Sequence, residues 1–278
     1  MGDRLNETLE FDYGLFKKIV NATKPRCVHF LGGEPLLWPH INEAILFCWE
    51  KGIKCSLCSN LILITNKQAK NFFSRKVEIL GKLNIGDLED KEEQKIQAQL
   101  IGAGTGTVKK LTLGIKKVEK AGYKAPLFCL GNFVRKQNVH LVQEFLEFCK
   151  KNKIKPILEV SCKGMDLSKK EIQSIIKQTG KVYAAKKIIL PHFTHACQYY
   201  NNSLYFRPTG DIQACSGNSS VLANFLKDKN ALKKALSHKI IKNRKRVSKK
   251  LKPECIGCRA RAENEGNLTG QDPLIEFI

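Results

Sequence analysis

The chain has 278 residues, 42% of them hydrophobic, enough for a full α/β domain and a smaller companion. It contains no apolar run of the roughly 18 residues that a membrane span needs, and Met1 to Phe11 is too polar and acidic for a secretory signal, so no membrane is expected and the location should be cytoplasmic. Eleven cysteines in that compartment argue for metal or cluster ligation and buried thiols over disulfides, and the net charge of +22 favours polyanionic partners such as RNA.

In chain order, Asp12 to Ala22 has helical spacing (Leu15, Phe16, Ile19, Val20) and leads into a strand at Cys27 to Leu31. Gly32-Gly33 breaks that strand, and Glu34-Pro35 follows. Two glycines permit positive φ and close approach of a ligand to the backbone, and a carboxylate at the carboxyl end of a parallel strand is where α/β barrels place their chemistry; an ordinary strand-to-loop turn with an exposed Glu fits the same residues. Ile41 to Lys51 is an amphipathic helix closed by Gly52. Ile53 to Ser59 is a strand ending at Asn60, Asn66 to Phe73 a short helix, and Lys76 to Leu83 the third strand. Asn84 to Thr107 is expected to be a loop, and Val108 to Ala121 a strong helix (Leu111, Ile115, Val118). Ala125 to Phe133, Leu141 to Asn152 and Ile154 to Ser161 continue as strand, helix and strand. Ser168 opens a helix to about Gln178, with Glu171 completing a capping box. Strands alternating with helices across short loops predict parallel βαβ units, as an incomplete barrel or an open sheet.

After Lys181 the character changes, which places a domain boundary between 1–180 and 181–278. Ser203 to Cys215 is expected to be a hairpin turning at Pro208-Thr209-Gly210-Asp211, and Asn230 to about Val247 a helix. Lys239 to Lys252 holds eight basic residues and no acid, yet lacks the interleaved aromatics of a base-stacking surface; lysines decorating solvated helix faces explain the charge more simply than RNA does. Four cysteines in this part, Cys197, Cys215, Cys255 and Cys258, follow the pattern C-x17-C-x39-C-x2-C. A C-x2-C pair aims two thiolates at one centre, and a hairpin with Cys at each end brings in two more; spacing leaves zinc and an iron–sulfur cluster equally open. Cys27, Cys48, Cys129 and Cys149 have apolar neighbours and are expected in the core. Cys55 and Cys58 lie three apart in a strand, on opposite faces, and should not share a metal. The six histidines are scattered, and no phosphate-binding G-x-x-x-x-G-K loop exists.

Leu31-Gly32-Gly33-Glu34-Pro35-Leu36-Leu37 resembles the GGEPLL signature of radical S-adenosylmethionine (SAM) enzymes. Cys58-Ser59-Asn60-Leu61 falls where that family often has Thr-Asn-Gly, and Gly81-Lys82-Leu83-Asn84 resembles a strand carrying polar SAM contacts. Cys255-Ile256-Gly257-Cys258-Arg259-Ala260-Arg261-Ala262, with Gly266 and Asp272-Pro273, resembles the cluster-binding extension called SPASM, or its shorter twitch form. The resemblance implies an α/β fold: a partial parallel (β/α) barrel followed by a small α+β cluster-binding domain. It implies that Gly32, Gly33, Glu34 and Pro35 hold the SAM amino group, with Asn60 and Lys82 at its ribose or carboxylate. An ionised Glu accepting from an ammonium is a charge-assisted hydrogen bond. It also implies one auxiliary [4Fe–4S] cluster on Cys197, Cys215, Cys255 and Cys258. The further cysteines of full SPASM domains are replaced here by Lys252-Pro253-Glu254 and Leu274-Ile275.

The C-x3-C-x2-C loop that carries the family's radical-generating [4Fe–4S] cluster is absent from these residues, as though the chain began after the first strand of the barrel. A mis-set start, a split gene and a degenerate homologue are the explanations. The expected function is therefore radical-based modification of a peptide or cofactor precursor, with an electron donor as partner and with SAM cleavage absent in the chain as given. The alternative is a non-catalytic zinc or iron–sulfur protein with an RNA-contacting basic surface.

Overall fold

The computed structural model describes residues 9–160, 167–182 and 203–250. The chain divides into two compact units, Pro25–Ile189 and Met1–Lys24 with Leu190–Ile278.

In the first unit, five strands lie in sequence order in one parallel sheet: β1 (Cys27–Phe30), β2 (Lys54–Ser59), β3 (Glu78–Lys82), β4 (Phe128–Val134) and β5 (Lys155–Val160). The sheet is open, with β1 and β5 at its edges. The helices between the strands are α2 (Ile41–Glu50), α3 (Asn66–Ser74), α4 (Lys91–Ile101), α5 (Thr105–Lys120) and α6 (Val142–Lys151), and α7 (Lys169–Val182) follows β5. The expected α/β class and parallel order are thus present.

Register separates the two faces of the sheet. Leu57 pairs with Ile79, Ile79 with Phe128, and Gly81 with Leu130, and Leu57, Ile79, Phe128 and Leu130 are all buried. Burying each such side chain contributes roughly 1.5–3 kcal/mol. The helices pack here, α2 against β2 and α6 against β4 and β5. The opposite face alternates with it along each strand. It carries Ser56, Cys58, Leu80, Lys82, Ile157 and Glu159, all partly exposed. Cys55 and Cys58 accordingly lie on opposite faces, Cys55 buried and Cys58 partly exposed.

Helix α5 approaches the backbone closely. A Cβ added at Gly114 would lie 2.1 Å from the Leu61 carbonyl oxygen, so the crossing requires glycine. The expected loop at Asn84 to Thr107 instead contains α4. Its residues, Lys91-Glu92-Glu93-Gln94-Lys95-Ile96-Gln97, lack an apolar stripe because its inward side chains serve the preceding loop. Glu93 Oε2 accepts from the Gly86 and Asp87 N–H groups at 2.8 Å each, and Gln97 Oε1 accepts from Asn84 N at 2.8 Å. Asp90 caps the start by accepting from Glu93 N, and Gly102 closes the end in the left-handed conformation. The predicted capping box at α7 forms, with Ser168 and Glu171 bonded reciprocally.

In the other unit, α1 (Tyr13–Thr23) is capped by Asp12, whose carboxylate accepts from Leu15 N. β6 (Tyr205–Phe206), β7 (Asp211–Gln213) and β8 (Val221–Asn224) form an antiparallel sheet in that order. The hairpin turns where expected, with Gly210 at φ +82°; β8 was not expected. The long helix expected from Asn230 breaks in two, α8 (Ala231–Ser237) and α9 (Lys239–Lys250). His238 is extended between them and its ring accepts from Ile240 N. Ile240 and Ile241 then turn into a small core with Ile212, Ala214, Leu222 and Ala235, so the basic stretch is amphipathic. Among the described residues, no helix is long and apolar enough to cross a membrane.

Candidate ligand-binding site

The loop leaving β1 is built from its own sequence. Gly32 adopts φ +148°, which L side chains rarely tolerate. Gly33 faces open space, and a Cβ there would meet nothing within 4 Å. Glu34 is the N-cap of a short 3₁₀ turn, Pro35–Leu37, with Pro35 at the first position, where its missing N–H costs nothing.

The Glu34 carboxylate then reaches across to the end of β2. Oε1 accepts from Leu36 N at 3.0 Å and from Ser59 Oγ at 2.7 Å, and Oε2 accepts from Asn60 N at 2.8 Å. A carboxylate has about four acceptor positions, so these three bonds leave one, on Oε2. Ser59 is 2% exposed, and its Oγ in turn accepts from Leu61 N at 2.9 Å. Asn60 Oδ1 accepts from Ile62 N at 3.0 Å, which holds the turn and leaves the side-chain N–H groups as donors. Sequence reasoning placed Gly32, Gly33, Glu34, Pro35 and Asn60 at one site, and the fold brings them together.

Lys82, the last residue of β3, stands on the partly exposed face. Its Nζ pairs with Glu159 Oε1 at 2.9 Å, with side-chain exposures of 33% and 32%. So exposed a pair contributes at most about 1 kcal/mol to stability, which leaves Lys82 available to other anions. Gly131 makes room for it, since a Cβ there would lie 3.1 Å from Nζ. Cys58 feels both ends of this constellation. Burial pushes its thiol pKa up, the Lys82 charge pulls it down, and Glu159 and Glu34 push it up again, so it is a protonated thiol between two carboxylates and an ammonium.

The expected cluster ligands Cys197, Cys255 and Cys258 lie outside the described residues. Cys215 follows β7 and is partly exposed, and Arg244, 2% exposed, donates from Nη2 to its Sγ at 3.5 Å. Among the described residues, no three His, Cys, Asp or Glu side chains are placed to hold a metal. Cys48, Cys129 and Cys149 are buried as expected, whereas Cys27 is partly exposed.

Sequence reasoning missed Ser59 and Glu159. Ser59 was signalled by its place directly before Asn60 at a strand end, and Glu159 by being the one acid near the end of the fifth strand.

No family model matches the chain, and no curated protein matches it. Solved structures do. SuiB of Streptococcus suis superposes with a TM-score of 0.66 at 16% identity, over 95% of this chain and 70% of that one. SuiB bound to its precursor peptide SuiA gives 0.66 at 17% identity, over 94% and 68%. The protein anSMEcpe, with bound AdoMet and the Kp18Cys peptide, gives 0.65 at 14% identity, over 90% and 81%. The likeness is one of fold: this chain has the open parallel α/β architecture of these proteins.

Proposed function

We propose that this chain is a radical-SAM-type protein that binds S-adenosylmethionine at the carboxyl end of its parallel sheet and binds a peptide. The observation that carries the proposal is the remaining acceptor position on Glu34 Oε2, held in place by three hydrogen bonds beside the open space at Gly33. An acceptor of fixed direction suits the ammonium of an aminocarboxyl group, and Lys82 suits its carboxylate. Asn60 offers amide donors to the rest of the ligand. The residues therefore fit SAM. When bound next to a reduced iron–sulfur cluster, SAM supplies a carbon-centred radical for hydrogen abstraction. What the chain itself contributes is binding and orientation: Glu34 accepts from the ammonium, and Lys82 exchanges its bond with Glu159 for one with the ligand. The peptide substrate class is supported by the similar folds of SuiB bound to SuiA and of anSMEcpe bound to Kp18Cys.

The proposal includes an auxiliary [4Fe–4S] cluster held by Cys197, Cys215, Cys255 and Cys258 in residues 181–278, after a SAM-binding segment in 1–180. A guanidinium donating to Cys215 Sγ fits a ligand thiolate. Because the 278 residues contain no C-x3-C-x2-C loop, SAM is bound and not cleaved by this chain. Calorimetric titration with SAM tests the binding: a saturable isotherm is expected for the wild type and a roughly tenfold or greater loss for E34A. Absence of binding to anaerobically reconstituted wild type overturns the proposal. Iron and sulfide analysis of that sample should give about four of each per chain, and 5′-deoxyadenosine should stay at background.

A further inference from the structure

Glu34 is the residue a ligand would meet, but it does not set its own direction. A glutamate side chain has three rotatable torsions and, unrestrained, would sample several rotamers. Of its three internal bonds, two come from backbone N–H groups, of Leu36 and Asn60, and cannot be varied by side-chain choice. The third comes from Ser59 Oγ and is the shortest, at 2.7 Å. Ser59 is almost fully buried, and its hydroxyl also accepts from Leu61 N at 2.9 Å. With one of its two lone pairs engaged by Leu61 N, the hydroxyl gives its single proton to Oε1. The neighbouring residue, Asn60, touches the carboxylate through its backbone and not its side chain.

We propose that Ser59 is a positioning residue for the aminocarboxyl end of the ligand. By occupying Oε1 it turns the one remaining acceptor position, on Oε2, toward the ammonium, and it acts on the ligand through Glu34 without touching it. The inference rests on the proposed SAM site and adds to it the residue that determines recognition of the amino-acid half of SAM over the nucleoside half.

The test compares two ligands on one protein. SAM carries the aminocarboxyl group; 5′-methylthioadenosine shares the nucleoside and lacks it. In calorimetric titrations, S59A should weaken SAM about tenfold and change methylthioadenosine less than about twofold. E34A should show the same split, and S59A added to E34A should weaken SAM no further, since the two act as one unit. If S59A does not fold, S59C, slightly larger and a much weaker donor, takes its place. Equal losses for both ligands, or no loss for SAM, overturn the role of Ser59. Failure of the wild type to bind either ligand overturns the SAM site itself, so the two failures are distinguishable.

Discussion

At the scale of single residues, the site is a matter of backbone permission and carboxylate geometry. Gly32 holds φ +148° so that the chain can turn from β1 into the 3₁₀ cap without pulling Glu34 away from β2. Gly32→Ala has room for its methyl group, so its cost is conformational. We expect a loss of about 1–2 kcal/mol, read as a lower urea midpoint, and a weaker SAM isotherm because Glu34 loses its anchor. The motif Gly32-Gly33-Glu34-Pro35 was legible from residue types alone. That Glu34 spends three of its acceptor positions on its own protein was not, because Ser59 and Asn60 come from a strand 25 residues away, and hydrogen bonds across strands leave no periodic trace in a sequence.

At the scale of elements, close approaches decide the geometry. Helix α5 lies so near the loop after β2 that a Cβ at position 114 would meet the Leu61 carbonyl oxygen at 2.1 Å. That loop begins at Asn60, directly after Ser59 at the end of β2, so the helix braces the site from behind. Gly114→Ala is expected to destabilise by about 3 kcal/mol, the upper end for overpacking, measured by urea unfolding; a change within 0.5 kcal/mol would show that the helix shifts freely. Elements were legible wherever an apolar stripe was present, as at α2, α5 and α6, although α5 begins at Thr105 and not at the expected Val108. Helix α4 was not, since its inward face is Glu93 and Gln97, whose oxygens accept from the backbone N–H groups of Asn84, Gly86 and Asp87. The single helix expected after Asn230 breaks at His238 for a related reason: Ile240 and Ile241 must turn into a core formed by strands that precede them.

At the scale of the whole molecule, the buried titratable groups set how stability responds to alkali. Burial pushes the Tyr123 phenol above its usual range, and its hydroxyl donates to the Val77 carbonyl at 2.9 Å. Burial pushes the Cys129 thiol up to about 12, with Glu78 adding to the effect, and burial raises Cys149 as well. Each folded-state pKa lies above its unfolded value, so the unfolded chain releases these protons first. Stability is therefore fully present below about pH 9 and falls as pH rises through the folded values, by about 1.4 kcal/mol per group per pH unit. Urea midpoints at pH 7.5, 9 and 10.5 should decline in that order, and less steeply in Y123F; a flat profile would contradict the burial of these groups.

The sequence by itself determined the class of the fold and singled out Gly32-Gly33-Glu34-Pro35 as a candidate strand-end site. Alternating strands and helices across short connections leave a parallel sheet as the economical solution, and two glycines before Glu-Pro mark a strand end suited to a ligand. What only the tertiary structure decided is orientation: which face of each strand is covered, that Lys82 pairs with Glu159, that Cys58 lies between opposing charges, and that Ser59 aims Glu34. Those outcomes depend on the register between strands distant in sequence, and a register shift of one residue would send every one of those side chains to the opposite face.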